Sequence, residues 1–495
     1  MKALDLVNRW AWWLLVAALP FTSFPKVADL VGSSTVAGLS IPFLFILMAA
    51  FLIPYFLRRG GLFPQIVPLL FFFLLAVISI LVSFFILIPS YKGIFPWREN
   101  IQSLATLVIG LGFYLVTALW LDDEKKITWT LRIINWTGLA ILIWSAVQAF
   151  VWIVLPLKDF PPFLRSIQGT FSLGRLYWGR VTGFALEPSW LAHQFNMLYL
   201  PIWLAATVRG FSAQRWRIWK FSFENFLLAG GAVIFFLTFS RIGLLGFLVM
   251  LFFVFLLLNA RFTRWVTGRI EKKQGGKSDP VRRKRLNILL WVGLIVVYVV
   301  IIAGVLYGFS RFDKRMADLF TFDNTVENPL LRYADKLKFG ERLVYWDAGW
   351  NIFNDHPFLG VGLGNAGFFM PQKLNGYGYF MVEVRDLLYR SGDLLNLKSF
   401  WVRLLAETGW LGFSFFITWY WFQWKTGRYL SGNRSALLAT LGLAGCFSMI
   451  GFLAEGFSVD SYALPYLWVA AGLMTAGYQL NKRQIKTLEV NNERE

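Results

Sequence analysis

The sequence predicts an all-α, polytopic membrane helix bundle with about twelve transmembrane helices. Two observations carry that class. The chain is 57% hydrophobic and only 15% charged, with 50 Phe and 24 Trp among 495 residues. Apolar runs of about 20 residues, enough to cross a hydrocarbon core, also recur from end to end. In lipid every backbone N–H and C=O must find a partner within the protein, so runs this long and continuous are read as helices.

The runs centre near residues 18, 47, 77, 110, 143, 198, 232, 250, 298, 412, 445 and 470. The first, WAWWLLVAALPFTSFP, has a weak basic flank and no small-residue cleavage pattern, so it is expected to stay as a span rather than be removed as a signal. The runs near 232 and 250 are separated only by Ser240 and Arg241, which must form a tight hairpin if both cross. Charge supports that reading. With twelve spans and both termini cytoplasmic, the short basic loops at 58–59, 125–126, 215–220 and 425–434 all fall inside, as the positive-inside rule requires.

The net charge of +20 would in a soluble protein raise nucleic-acid binding. Its most basic stretch, 261–285, has a flexible polar centre (KKQGGKSDP) and no aromatic pattern that would stack on bases, so it reads as a cytoplasmic loop facing anionic headgroups. No nucleic-acid partner is expected. The single cysteine, Cys446, excludes an intramolecular disulfide.

Two outer loops, 158–187 and 310–400, are longer than a connection needs, and such length between membrane helices points to a binding or catalytic surface. The second is partly helical by pattern. Leu343, Trp346, Trp350 and Phe353 recur at helical spacing, with Glu341, Asp347, Asn351 and Asn354 elsewhere on the wheel and Arg342 at the stripe's edge. Such a helix can lie on the membrane with its Trp side down, or it can pack as a lid over the bundle. His356-Pro357 should stop it, and Gly360, Gly362 and Gly364 should then allow a tight backbone turn.

Arginines at a membrane edge are costly, which makes Arg180, Arg241, Arg342 and Arg403 functional candidates. Arg241 stands between two apolar runs; it is either a snorkelling anchor or a guanidinium that grips a phosphate bidentately. Glu187 precedes Pro188 at a span start, where a carboxylate is favoured by the helix dipole and serves as a cap or as a base. Histidine is limited to His193 and His356, no metal-ligand spacing exists, and no phosphate-binding Gly-rich loop is present, so neither metal nor other cofactor is called for.

Three blocks together resemble the O-antigen ligase and O-antigen (exopolysaccharide) polymerase superfamily of bacterial membrane glycosyltransferases: TFSRIGLLGF (238–247), ERLVYWDAGWNIFNDHPFLGVGLGNAG (341–367) and LKSFWVRLLAETGWLGF (397–413). The resemblance covers about 225–425 and divides the chain into an N-terminal transmembrane bundle (1–224, with outer loop 158–187), a ligase/polymerase-like region (225–425, with outer loop 310–400), and a C-terminal hairpin and cytoplasmic tail (426–495). It implies a GT-C-like fold in the bacterial inner membrane and a metal-independent, inverting transfer of glycan from an undecaprenyl-diphosphate carrier. A glycan or lipid would be the acceptor, and a chain-length regulator a further partner. It assigns Arg241 and Arg342 to the diphosphate, with Arg180 and Arg403 adding positive potential. Where ligases of the family carry a His-Asn pair, this chain has Lys398-Ser399, which favours phosphate stabilisation over proton transfer. The R-x-x-G-F-x-x-E-P-S segment of Arg180 and Glu187 is closer to the polymerases. The sequence therefore leads to a polymerase, with Glu187 as the expected base; ligase, flippase and inactive scaffold stay as alternatives.

Overall fold

The computed structural model describes residues 2–31, 37–58, 60–155, 157–214, 216–273, 280–312, 333 and 339–492. The basic positions Arg59 and Arg215, the centre of the 261–285 loop (274–279) and most of 313–338 in the long outer loop lie outside the described residues. Among the described residues the protein is all-α but for one hairpin of two-residue strands, β1 (Arg217–Ile218) with β2 (Phe221–Ser222).

In order the helices are α1 (Lys2–Ala18), α2 (Pro25–Val31), α3 (Ser40–Leu57), α4 (Pro64–Ser83), α5 (Pro96–Trp120), α6 (Glu124–Ile153) and α7 (Pro162–Phe171). Then comes α8 (Pro188–Gln194), which passes through a π turn at Phe195–Tyr199 into α9 (Leu200–Arg209). They are followed by α10 (Phe223–Leu237), α11 (Arg241–Lys273), α12 (Pro280–Phe312), α13 (Gly340–Asp355), α14 (Ala366–Lys373), α15 (Val382–Tyr389), α16 (Phe400–Ser431), α17 (Ala436–Glu455) and α18 (Pro465–Asn492). Many open on proline, whose fixed φ and missing N–H suit a first helical position. Asp123 caps α6 by accepting from Lys126 N, and Ser222 with Asn225 forms a capping box on α10.

Among the described residues seven helices are long and apolar enough to cross a membrane, including α4, α5, α6 and α17. This is an all-α membrane protein. Each expected span centre falls in or at the end of a helical segment, with one displacement: α1 ends at Ala18, the position expected to be its middle, because Pro20 follows and stops it. The hairpin at Ser240-Arg241 is present, since α10 and α11 are separate helices joined by Thr238, Phe239 and Ser240.

The chain forms two compact units, Met1–Gly246 with Tyr345–Glu495, and Phe247–Val344. In the larger unit α17 is central, with 89% of its span buried, whereas 28% of the α3 span is buried and the rest of its apolar surface faces outward. Close approach between α16 and α17 depends on a glycine pair: a Cβ on Gly442 would lie 2.6 Å from Gly427 O. Polar side chains join α5, α16 and α18 in the core, where Tyr114 Oη contacts Thr475 Oγ1 at 3.0 Å and accepts from Gln423 Nε2 at 2.5 Å. In the smaller unit Tyr298 of α12 donates to Leu248 O of α11 and stacks on Phe255.

Candidate active site

Two of the sequence blocks interlock. α13 ends at Asp355, so His356-Pro357 does stop the helix, and the chain then runs along α16 where that helix is broken at Gly409 (φ 63°, ψ −167°). The break frees two carbonyls: Ala406 O accepts from Val361 N at 2.9 Å and Glu407 O from Gly362 N at 3.2 Å. Trp410 N in turn donates to Pro357 O at 2.7 Å. Gly360, Gly362 and Gly364 all have positive φ, and a Cβ on Gly360 would lie 2.4 Å from the Glu407 carbonyl carbon. Any side chain there would be strained and would also strike backbone. The expected tight turn is therefore the inner half of a backbone clasp on α16, and Asn100 of α5 closes it by donating to Leu363 O at 2.7 Å.

Beside the clasp lies Arg403. It pairs with Glu407 at 3.0 Å, donates to Asp460 O at 2.6 Å and to Ser103 Oγ at 2.8 Å, and its guanidinium lies over the Tyr462 ring. Its charge is balanced and three of its donor bonds tie α16, α5 and the α17–α18 loop together. In this arrangement Arg403 braces the site; its field is largely spent on Glu407.

The loop 158–187 docks on the α10–α11 hairpin. Arg180 Nε donates to Thr238 O at 2.9 Å and Val181 N to Leu237 O at 3.0 Å, which brings Arg180 to the three-residue turn that precedes Arg241. Arg241 opens α11 and is half-buried; Ser240 caps the helix, accepting from Gly243 N at 3.3 Å. Glu187 is the exposed residue before Pro188, with Ser189 Oγ donating to its carboxylate at 3.3 Å. A carboxylate in water is a weak base for a sugar hydroxyl.

Lys398 has φ 50° and its ammonium lies 3.6 Å from Glu383 of α15. Ser399 is the buried cap of α16, accepting from Val402 N and donating to Gly456 O at 3.2 Å. Arg342 belongs to the smaller unit and is half-buried in the first turn of α13. The apolar face expected on α13 is rotated. Tyr345, Ala348 and Ile352 are buried, while Trp350 is 50% exposed; Trp346 is half-buried with its ring 5.3 Å from that of Phe457. Gly349 explains the shift, because a Cβ there would lie 2.4 Å from a Val402 methyl: the helix turns its smallest residues, not its tryptophans, toward α16. His356 is half-buried, with its ring 5.8 Å from that of Phe369.

Sequence reasoning missed the most polar buried cluster at this end. Glu455, the last residue of α17, is fully buried, and its Oε2 lies 2.6 Å from His193 Nδ1. Its Oε1 accepts from Asn196 Nδ2 at 2.5 Å, and the same amide reaches Gly243 O at 2.7 Å in the first turn of α11. The only sequence signal was a histidine and a glutamate each set within an apolar run, an expense that membrane helices do not bear idly.

Residues 226–417 match a family model described as O-antigen ligase. Over that stretch, less than half of the chain, the sequence is similar to the O-antigen ligase family. No curated protein matches the chain. The matched stretch runs from the first turn of α10 to the middle of α16, just beyond the break at Gly409, and so contains the Arg241 hairpin, the glycine turn and the Lys398–Glu407 stretch. This match and the apolar helices together support a multi-pass membrane protein related to glycan-processing enzymes.

Proposed function

We propose that the protein is a metal-independent, inverting glycosyltransferase that polymerises undecaprenyl-diphosphate-linked repeat units at the outer leaflet. The bundle would cross the membrane twelve times in a GT-C-like arrangement, with both termini cytoplasmic. The observation that carries the reading is the docking of Arg180 on the turn that ends in Arg241. It gathers two guanidiniums from distant segments at one helix N-terminus, where partial positive charge already favours an anion. A departing lipid diphosphate needs this kind of fixed positive field, and preorganised donors supply it without a metal.

In this reading Arg241 grips the donor diphosphate and Arg180 adds to its field. Arg342 is a separate candidate for the same charge, and Lys398 stabilises phosphate rather than moving a proton. Lys398 at the ligase histidine position and the Arg180–Glu187 segment favour polymerisation over transfer to a lipid acceptor. The flippase alternative would set charges along a mid-membrane path, whereas the arginines here stand at helix ends.

Proteoliposomes given a lipid-linked oligosaccharide test the function. Chain growth supports a polymerase, transfer of the intact glycan to a lipid acceptor a ligase, and movement of unchanged donor a flippase. Orientation is checked by thiol labelling of intact cells, because the native Cys446 is buried. Ser90→Cys should react with an impermeant reagent and Lys486→Cys should not; the reverse pattern would invert the topology.

A further inference from the structure

The reaction needs a group to take the proton of the attacking hydroxyl, and none of the rim arginines can. Glu187 is exposed, and Lys398 stands 3.6 Å from a carboxylate. The cluster around Glu455 has the required parts. Glu455 Oε2 lies 2.6 Å from His193 Nδ1, and in the tautomer that donates from Nδ1 the lone pair is on Nε2. The second carboxylate oxygen is held by Asn196, so the acid cannot turn away. Asn196 Oδ1 is buried without a hydrogen-bond partner in the protein.

The cluster also lies where the candidate residues meet. Asn196 bonds Gly243 O, two residues beyond Arg241. Gly456, next to Glu455, accepts from both Ser399 Oγ and Phe400 N, so the Lys398-Ser399 segment is anchored to the same helix end. The π turn at Phe195–Tyr199 begins two residues after His193, and such turns recur at functional positions in helices. One helical turn before His193, Trp190 lines a small cleft of about 30 Å³ with Thr22, Ser461 and Tyr466.

We infer that His193 is the general base of the transfer and Glu455 its positioning residue, taking the place of the histidine that this chain lacks at 398. The inference rests on the transferase reading above. The acceptor hydroxyl oxygen forms a bond to the anomeric carbon of the donor. The bond from that carbon to the diphosphate oxygen breaks, and its electron pair leaves with the lipid diphosphate. The hydroxyl proton passes to His193 Nε2, and Glu455 stabilises the imidazolium that results. Asn196 Nδ2 holds the carboxylate of Glu455 in place during the transfer.

The test uses the full-length protein in proteoliposomes, with kcat and donor KM measured for lipid-linked oligosaccharide. His193→Asn keeps an N–H for Glu455 and should retain the wild-type unfolding temperature. It should lower kcat about 100-fold or more with donor KM within about twofold, the size expected for a lost general base. His193→Ala should regain at least about tenfold of its lost rate in added imidazole, which a purely structural histidine would not show. Glu455→Gln should lower kcat at unchanged donor KM. The assignment is overturned if folded His193→Asn keeps kcat within threefold, if imidazole restores nothing to folded His193→Ala, or if the large loss appears in Glu187→Gln instead. An inactive wild type would overturn the transferase reading itself, and an active wild type with an indifferent His193 would overturn only the base.

Discussion

Two glutamates, Glu224 and Glu455, are almost wholly buried in the larger unit, and their partners differ in kind. Glu224, in the first turn of α10, accepts from Asn135 Nδ2 at 2.9 Å and from Ala213 N at 2.8 Å. Its neighbourhood is a set of loop ties: Arg132 donates to Ala213 O, and Gln214 to Arg132 O. Glu455 is held instead by an imidazole and by an amide that also touches the helix of Arg241. Both carboxylates were withdrawn from water at a cost. The first is compensated by neutral donors and can only hold a loop on α6. The second is compensated by an imidazole and a side-chain amide. Burial of an acid is thus no mark of chemistry; the titratable partner is.

Glu407 offers an intermediate case, buried like the others but matched to the permanent cation Arg403. Removing one member of such a pair leaves an uncompensated charge, so Glu407→Ala should destabilise the protein by about 3–5 kcal/mol in reversible denaturation, the largest stability effect here. Arg241→Ala should fold normally and lose about 10²–10³-fold in glycan transfer, read as product per reconstituted protein. Retention of full transfer would remove Arg241 from the diphosphate site. The glutamate comparison is sharpened next. Glu224→Gln should cost about 1–2 kcal/mol in stability and leave kcat per folded molecule unchanged, the converse of Glu455→Gln. If the two variants behave alike, the contrast between them is only geometric. The smallest effect is expected at Lys398→Met. It should raise donor KM severalfold with little change in kcat, because a half-buried ammonium shared with Glu383 adds attraction rather than transition-state contact.

Much of the frame was legible in the sequence because hydrophobic runs and glycine turns are local signals. Ser240-Arg241 had to be a hairpin once two runs flanked it, and the three glycines of 360–364 had to be a turn. The buried face of α13 was not legible. Periodicity ranked Trp346 and Trp350 as its apolar side, but packing against α16 selected Gly349 and Ala348, since close approach rewards small residues. The bond between Arg403 and Glu407 was readable at i,i+4 spacing, and only its burial turned a candidate free charge into a brace. The pairing of His193 with Glu455 spans 262 residues, and each member taken alone resembles a helix-end polar residue, so only the assembled bundle reveals it.

The central claim is that this membrane protein transfers glycan from a lipid diphosphate. Its most direct test is the purified wild-type protein in proteoliposomes with an undecaprenyl-diphosphate-linked oligosaccharide and no added metal, with products resolved by size. The account predicts a ladder of lipid-linked chains spaced by whole repeat units. Donor that stays a single repeat unit, whether or not it crosses the bilayer, would contradict it.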